Sequence, residues 1–459
     1  MTPSTKKWDA IVVGSGQAGT PLARKLAKAG LQTAIIEKEH VGGTCINEGC
    51  TPTKTLIADA RVAQTVREAT GRGIRVDGFS IDLAHIIGRK NAIVESFRSA
   101  GERGLAATPN LTLVRGSAVF SGPKTLTVSG ETYTADLIFI NTGCGPSIPP
   151  LEGLDKVPYL TSKSILDIPV LPAHLVILGG GYIALEMGQL FRRLGSEVTI
   201  IERGKVLLSR EDKDIRDAMQ EILEAEGIRF YLETAVARVR SGDQAVVLDL
   251  NRAGSAETLS ASHLLVATGR SPRTKDLRPD LAGIETDARG FIKVDDRLQT
   301  NVPGIYALGD VKGGPAFTHI SYNDYIIVAR NLLEKGDATT LDRQVPYTVF
   351  TDPQLGRIGL TEEEATAKGL PIRTAVLPMT HVARAIETGH TKGLMKAVVH
   401  TETRQILGAA VLGEEGGEVM SVLQMAMTGG ITYDRIRDMV FAHPLYSESL
   451  NNLFMTLES

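Results

Sequence analysis

One unit occurs twice in this chain, and it leaves few folds open. Ile11-Val12-Val13, a short buried-strand pattern, runs into Gly14-Ser15-Gly16-Gln17-Ala18-Gly19. A helical stretch follows to Ala29 with Leu22, Leu26 and Ala29 on one face, Gly30 ends it, and a second strand, Thr33 to Ile36, finishes at Glu37. The order then returns. Leu175 to Leu178 reads as a strand, Gly179-Gly180-Gly181-Tyr182-Ile183-Ala184 as the turn, Leu185 to Leu194 as a helix closed by Gly195, and Val198 to Ile201 as a strand ending at Glu202. Gly14 to Glu37 and Gly179 to Glu202 span the same interval. In such a unit the first glycine makes a tight turn, and the second lets a pyrophosphate approach the helix N-terminus. Free N–H groups and the helix dipole favour an anion there. A terminal carboxylate accepts hydrogen bonds from a ribose diol. Gly14, Gly16, Gly19 and Glu37 are therefore candidate binding residues of the first unit, and Gly179, Gly181, Ala184 and Glu202 of the second. A lone glycine fingerprint is weak; two complete units imply two dinucleotides bound by separate domains.

Directly after the first unit comes Gly42-Gly43-Thr44-Cys45-Ile46-Asn47-Glu48-Gly49-Cys50-Thr51-Pro52-Thr53-Lys54, which holds two of the three cysteines. Helical positions five apart would set the Cα atoms roughly 8–9 Å apart, whereas a disulfide needs about 4.4–6.8 Å. Pairing of Cys45 and Cys50 would require the backbone to leave regular helix, and Gly42, Gly43, Gly49 and Pro52 supply the means. Lys54 lies one helical turn past Cys50, where an ammonium favours a thiolate. Two buried free thiols remain the alternative at this point.

The chain of 459 residues is too long for one core. With 42% hydrophobic and 22% charged residues, a net charge of −3 and no basic run, it fits a globular protein with no nucleic-acid partner. Met1 to Trp8 contains no apolar leader core, and Leu175 to Phe191 is broken by glycines and by Glu186, so no membrane partner and a cytoplasmic location are expected. Three cysteines make no disulfide framework, which makes any disulfide more a catalytic than a structural feature.

Between the units, helical patterns cover Thr55–Ala69 and Leu83–Gly104, followed by short strands at Leu111–Val114, Ala118–Phe120, Thr125–Val128 and Asp136–Ile140. The proline-rich stretch Pro146 to Gly153 reads as a linker. After the second unit come a helix at Ile215–Glu226, a strand at Leu264–Ala267, a strand and turn over Phe291–Thr300, the segment Gly304 to Asp310, and a helix at Ser321–Leu333. From Leu341 strands and helices mix without a nucleotide turn; Thr361 and Glu364 have capping-box spacing. The expected fold is α/β: two Rossmann-like dinucleotide-binding domains plus a separate C-terminal α+β domain.

Two dinucleotides and a cysteine pair suggest electron flow between a nicotinamide and a dithiol. A flavin between them exchanges both hydride and thiolate-borne electrons. His443 with Glu448 could manage the dithiol proton.

With these motifs in place, the whole chain resembles the pyridine nucleotide–disulfide oxidoreductases: glutathione reductase, dihydrolipoamide dehydrogenase, mercuric reductase and their relatives. The cysteine stretch resembles the family's GGTCxNxGCxPTK signature, Gly304 to Asp310 its second FAD motif, Thr268-Gly269-Arg270 its ATGR, and His443 to Glu448 its HPTxxE with Leu445 in place of Thr. The resemblance implies FAD as cofactor, held by the first fingerprint with Glu37, Gly43, Thr44, Lys54, Ala118, Gly143 and Asp310. It implies Cys50 as the thiolate facing the flavin, Cys45 as the interchange thiol, and Lys54 near the flavin, paired with Glu186. Tyr182 would gate the nicotinamide beside Gly179, Gly181, Ala184, Glu202 and Gly269. His443 and Glu448 would serve the other subunit of a homodimer, and Cys144 is read as a buried thiol. The implied domains are 1–150 and 273–340 for FAD, 151–272 for NAD(P), and 341–459 for dimerisation.

NADPH-using relatives carry Arg at the positions of Glu202 and Leu208, so NADH is expected over NADPH. The chain ends Phe454-Met455-Thr456-Leu457-Glu458-Ser459, without the cysteine pair of mercuric reductases. Thr51, Thr53 and Phe441 depart from dihydrolipoamide dehydrogenases. Phe441 to Phe454 and the cysteine stretch are most similar to the bacterial hypothiocyanous acid (reactive chlorine stress) reductase branch, which implies a small-molecule oxidant. A dihydrolipoamide dehydrogenase-like subunit and a mercuric reductase-like metal-ion reductase are the alternatives.

Overall fold

The computed structural model describes residues 5–242, 246–252 and 254–458. Of the stretches read above, Met1 to Ser4 and Ser459 lie outside the described residues. The first sheet has seven strands, and its centre is Thr5–Val13, parallel to Thr33–Glu37 on one side and to Glu131–Ile140 on the other. Ile305–Ala307 also pairs in parallel with Glu131–Ile140, so the chain returns to this sheet after building the second. That second sheet has five strands in the order Ile228–Tyr231, Glu197–Ile201, His174–Leu178, His263–Val266, Leu160–Thr161, all parallel. The apolar runs Ala10–Val13 and Leu175–Leu178 are buried on both faces, as parallel strands covered by helices must be.

The two glycine turns are built alike. Gly14 takes φ +99° and Gly179 φ +108°, and a Cβ would sit 2.4 Å from Asn141 O and 2.5 Å from Ala267 O respectively. At Gly19 a Cβ would lie 2.0 Å from Gly14 O, so only glycine lets the Gly19–Lys28 helix pack on its strand.

The C-terminal region is a five-stranded antiparallel sheet ordered Tyr347–Val349, Gln354–Gly359, Ile406–Gly413, Leu394–His400, Ile372–Pro378, backed by the Gly416–Thr428 helix. Thr361 and Glu364 form the expected capping box at the Glu362–Ala367 helix. The sequence pattern suggests a helix over Tyr433–Val440, and the structure forms it only over Tyr433–Arg437.

One sequence expectation is corrected here, and one strand is added. Phe291–Thr300 is no strand: only isolated bridges, Thr286 with Ile292 and Gln299 with Tyr306, form there. The Asp295 carboxylate accepts from the N–H groups of Arg297 and Gln299, and this local turn displaces a ladder. Gln354–Gly359 is a strand that the glycines concealed; Gly356 is needed because a Cβ would meet Gly416 O at 2.4 Å. Among the described residues no helix is long and apolar enough to cross a membrane.

Candidate active site

The cysteine stretch folds as two helices with a break. Gly43–Asn47 forms one short helix, Glu48 (φ −142°) and Gly49 (φ −137°) leave helical geometry, and a new helix starts at Cys50 and runs to Glu68. Asn47 and Glu48 are tied down on opposite sides. Asn47 donates to Val41 O and Gly43 O and accepts from Arg98, while Glu48 pairs with Lys163 and with Arg273 at 3.4 Å. Cys45 and Cys50 are free thiols at the wall of a cavity of about 840 Å³.

Lys54, one turn on from Cys50, meets Glu186 at 2.7 Å and lies 4.7 Å from the centre of the Phe350 ring. Glu186 is 4% exposed and takes the Phe350 N–H at 2.8 Å, so its charge is held between two donors. Thr318 Oγ1 lies 3.3 Å from Cys50 Sγ. The Cys45 thiol, Thr318 and Lys54, against the cost of burial, hold Cys50 down at about 6, far below an ordinary thiol. Cys45 is pushed up, first by donating its proton to Cys50 and then by burial. The pair thus shares one proton, with the thiolate on Cys50, which opens onto the cavity although protein packs around most of it.

Gly14, Gly16, Glu37, Gly43, Thr44, Ala118, Gly143 and Asp310 all line this cavity with Cys45, Cys50, Lys54, Tyr182 and Glu186. Gly19 sits behind the wall and gives its N–H to Asn141 Oδ1 at 2.9 Å. The Glu37 carboxylate is oriented by Ser15, whose N–H and hydroxyl donate at 3.0 and 2.7 Å, and by the Glu39 N–H at 2.9 Å. Asp310 faces Arg270 at 3.7 Å, and burial pushes its carboxyl up. The residues fit FAD: the cavity runs from the acid Glu37 to the two cysteines, a Cβ on Gly43 would meet Gly16 Cα at 2.7 Å, and the Thr142 hydroxyl in the wall is buried without a partner among the described residues.

Of the second unit, Tyr182, Ile183, Glu186 and Met187 join that wall, whereas Gly179, Gly181, Ala184 and Glu202 do not. Gly179 and Gly181 form the turn, Ala184 is fully buried in the first turn of the Tyr182–Leu194 helix, and Glu202 accepts from Gly180 and Gly204 N–H, both at 2.6 Å. Gly269 O takes the Ser147 N–H at 2.9 Å, where the chain crosses between the two sheets. His443 Nδ1 lies 3.0 Å from Glu448, and the imidazole is 68% exposed; neither residue lines the cavity within one chain. Cys144 is buried, donates to Asp310 O at 3.3 Å, and is pushed up to about 12 by burial, which leaves it an unreactive thiol.

Several residues of this site escaped the sequence. Asn141 joins both FAD-side motifs through Gly19 N–H and Leu308 O, and its place at a strand end before Thr-Gly was the available signal. Thr318, Phe317 and Phe350 reach the site from far along the chain and carried no motif. No group of His, Cys, Asp and Glu among the described residues is arranged to hold a metal ion.

Residues 8–324 match the pyridine nucleotide-disulphide oxidoreductase family, and residues 345–454 match the dimerisation domain of the same family. The chain is 40% identical to the probable pyridine nucleotide-disulfide oxidoreductase RclA of Escherichia coli, over 98% of this chain and 99% of that one. It is 33% identical to a mercuric reductase of Staphylococcus aureus (98% and 82% covered) and 35% identical to a dihydrolipoyl dehydrogenase of Thermus scotoductus (97% and 96%). The solved structure of the HOCl-induced flavoprotein disulfide reductase RclA superimposes with a TM-score of 0.90 at 40% identity, covering 97% of this chain and 99% of that one. The chain belongs to the pyridine nucleotide–disulfide oxidoreductase family, as a flavoprotein reductase with two nucleotide-binding domains and a C-terminal dimerisation domain.

Proposed function

We propose that this enzyme passes electrons from NADH through FAD to the Cys45/Cys50 pair and from there to a small oxidant, hypothiocyanous acid or a similar reactive electrophile. The observation behind this is the redox pair itself: a low Cys50 thiolate, a proton held on Cys45, and an open cavity in front of both. FAD, when bound, supplies the electron pair that returns the disulfide to the dithiol. In the dithiol, Cys45 sulfur attacks the sulfur of hypothiocyanous acid, the S–O bond breaks, and water leaves with the thiol proton. Cys50 thiolate then attacks Cys45 sulfur, the disulfide forms and thiocyanate departs. Thr318 and Lys54 keep Cys50 ionised for that second step, and Glu186 anchors Lys54 although its own charge opposes the thiolate. His443, oriented by Glu448, exchanges the proton of Cys45 in the partner subunit of a homodimer, which suits its exposed position. The 1–150 and 273–340 segments serve FAD, 151–272 the nicotinamide and 341–459 the dimer, in a cytoplasmic enzyme.

NADH preference is supported by Glu202, whose carboxylate is aimed by two N–H groups and repels a 2′-phosphate, although exposed Arg203 and Lys205 stand beside it. A kcat/KM for NADPH at or above that for NADH would reverse this assignment. The oxidant is tested by NADH oxidation with hypothiocyanous acid, Hg(II), Cu(II), glutathione disulfide and lipoamide. Hypothiocyanous acid is expected to be turned over fastest and Cys45→Ser to abolish it; full activity of Cys45→Ser would refute the mechanism. Fast NAD⁺-dependent oxidation of dihydrolipoamide would instead favour a dihydrolipoyl dehydrogenase like the Thermus relative.

A further inference from the structure

A closed ring of contacts surrounds the second glycine turn. Glu202 binds Gly180 and Gly204 N–H, Leu208 N–H returns to Gly180 O at 3.3 Å, and Glu211 N–H donates to Leu208 O at 2.8 Å. The loop from 202 to 211 therefore folds back over the turn. Glu211 then leaves the nucleotide-binding sheet, because its Oε1 accepts the hydroxyl of Tyr347 from the C-terminal sheet. Tyr347 stacks on Phe317 with ring centres 5.4 Å apart and planes at 9°, and Phe317 lies 6.1 Å from the ring of Tyr182. Tyr182 is two residues past Gly180, so the circuit closes.

The Tyr347–Glu211 bond is placed where a fold gains little from it. Glu211 is 3% exposed, its second oxygen has no hydrogen-bond partner among the described residues, and Arg357 Nε stands 4.0 Å away. Burying a carboxylate so incompletely satisfied is unfavourable. Burial also pushes the Tyr347 phenol up, so its hydroxyl remains a donor throughout the neutral range. None of the steps assigned to the cysteines uses either residue.

We propose that Tyr347 and Glu211 are positioning residues for the pyridine nucleotide, joining the loop that carries Glu202 to the aromatic backstop behind Tyr182. This rests on the assignment of the nucleotide to the space between Glu202 and Tyr182. A ligand that had to order a loop and an aromatic wall separately would lose affinity in doing so. The ring holds both in one arrangement before the ligand arrives, so cutting it weakens nucleotide binding and leaves the dithiol chemistry alone.

Tyr347→Phe removes the hydroxyl and keeps the stack; Glu211→Gln keeps an acceptor. With flavin content and far-ultraviolet dichroism as folding checks, the assays are NADH steady-state kinetics and, separately, re-oxidation of the pre-reduced enzyme by hypothiocyanous acid. Tyr347→Phe is expected to raise KM for NADH about tenfold, the effect of one hydrogen bond to a buried charge, with kcat and re-oxidation within about twofold. Glu211→Gln should lie between that variant and the parent. An unchanged KM in Tyr347→Phe, or an equal loss in re-oxidation, overturns the proposal. Tyr182→Ala separates the two levels: if it leaves NADH kinetics unchanged, the nucleotide assignment itself fails and the latch with it. If only Tyr182→Ala impairs NADH use, the latch alone is wrong.

Discussion

Thr318→Val takes one donor from the Cys50 thiolate and keeps the β-branched shape at the start of the Thr318–Leu333 helix. The Cys45 thiol, then Thr318, then Lys54 favour the thiolate, in that order. A hydrogen bond to a charged group contributes about 1.5–3 kcal/mol. Sulfur is a weak acceptor and Cys50 faces an open cavity where solvent screens it, so about 1.4 kcal/mol is the appropriate value. That is a tenfold change in the ionisation constant, which carries Cys50 from about 6 to about 7. The sign follows from the depression: the thiolate exists above about 6 in the parent and is lost as pH falls through that value. In the variant it is lost nearer neutrality. Ultraviolet thiolate absorbance and iodoacetamide alkylation of the reduced protein, followed against pH, read the midpoint directly. Cys45→Ala should raise it more than Thr318→Val, and Lys54→Met less. A midpoint that stays put in Thr318→Val, or moves furthest in Lys54→Met, would show that the thiolate is held by something else.

Asp324 is fully buried between Arg343 at 2.5 Å and Lys312 at 3.4 Å and accepts the Gly309 N–H at 2.8 Å, beside Asp310. Asp324→Asn leaves two cations short of a counter-charge and should lower stability by about 3–5 kcal/mol, read as a fall in Tm; Asp324→Glu should recover part of it. Mixing Cys45→Ser subunits with His443→Gln subunits, each inactive alone, should restore up to about a quarter of the parent activity, because half of the random dimers gain one complete site. No recovery after verified subunit exchange would place His443 in its own chain's site.

The duplicated nucleotide unit was legible because its constraints are local. A glycine turn, a helix start and an acid at a strand end are each set by neighbours in the chain, and Gly14 and Gly179 show the same close backbone approach. The redox helix was harder. The helical pattern is read from Thr55, yet the helix begins at Cys50, with Pro52 in its first turn. Proline is tolerated in a first turn, where its missing N–H would have had no partner, and that early start sets Cys50 on the same helix as Lys54. Long-range pairs leave no trace in the local pattern. Lys54 and Glu186 are 132 positions apart, and Tyr347 and Glu211 are 136 apart. The first pair was reachable through the family pattern; the second has no pattern and depends on how two sheets dock. Thr318 meets Cys50 across 268 positions for the same reason.

The direct attack of Cys45 on the oxidant can be caught in the act. Cys50→Ser removes the thiolate that would displace thiocyanate, so the pre-reduced variant treated with one equivalent of hypothiocyanous acid should retain a thiocyanate adduct. Mass spectrometry of the digested protein should find it on Cys45, with Cys144 unmodified, and the parent enzyme should show only the Cys45–Cys50 disulfide. An adduct on Cys144 alone, or none while the oxidant is consumed at the parent rate, would contradict direct attack by Cys45.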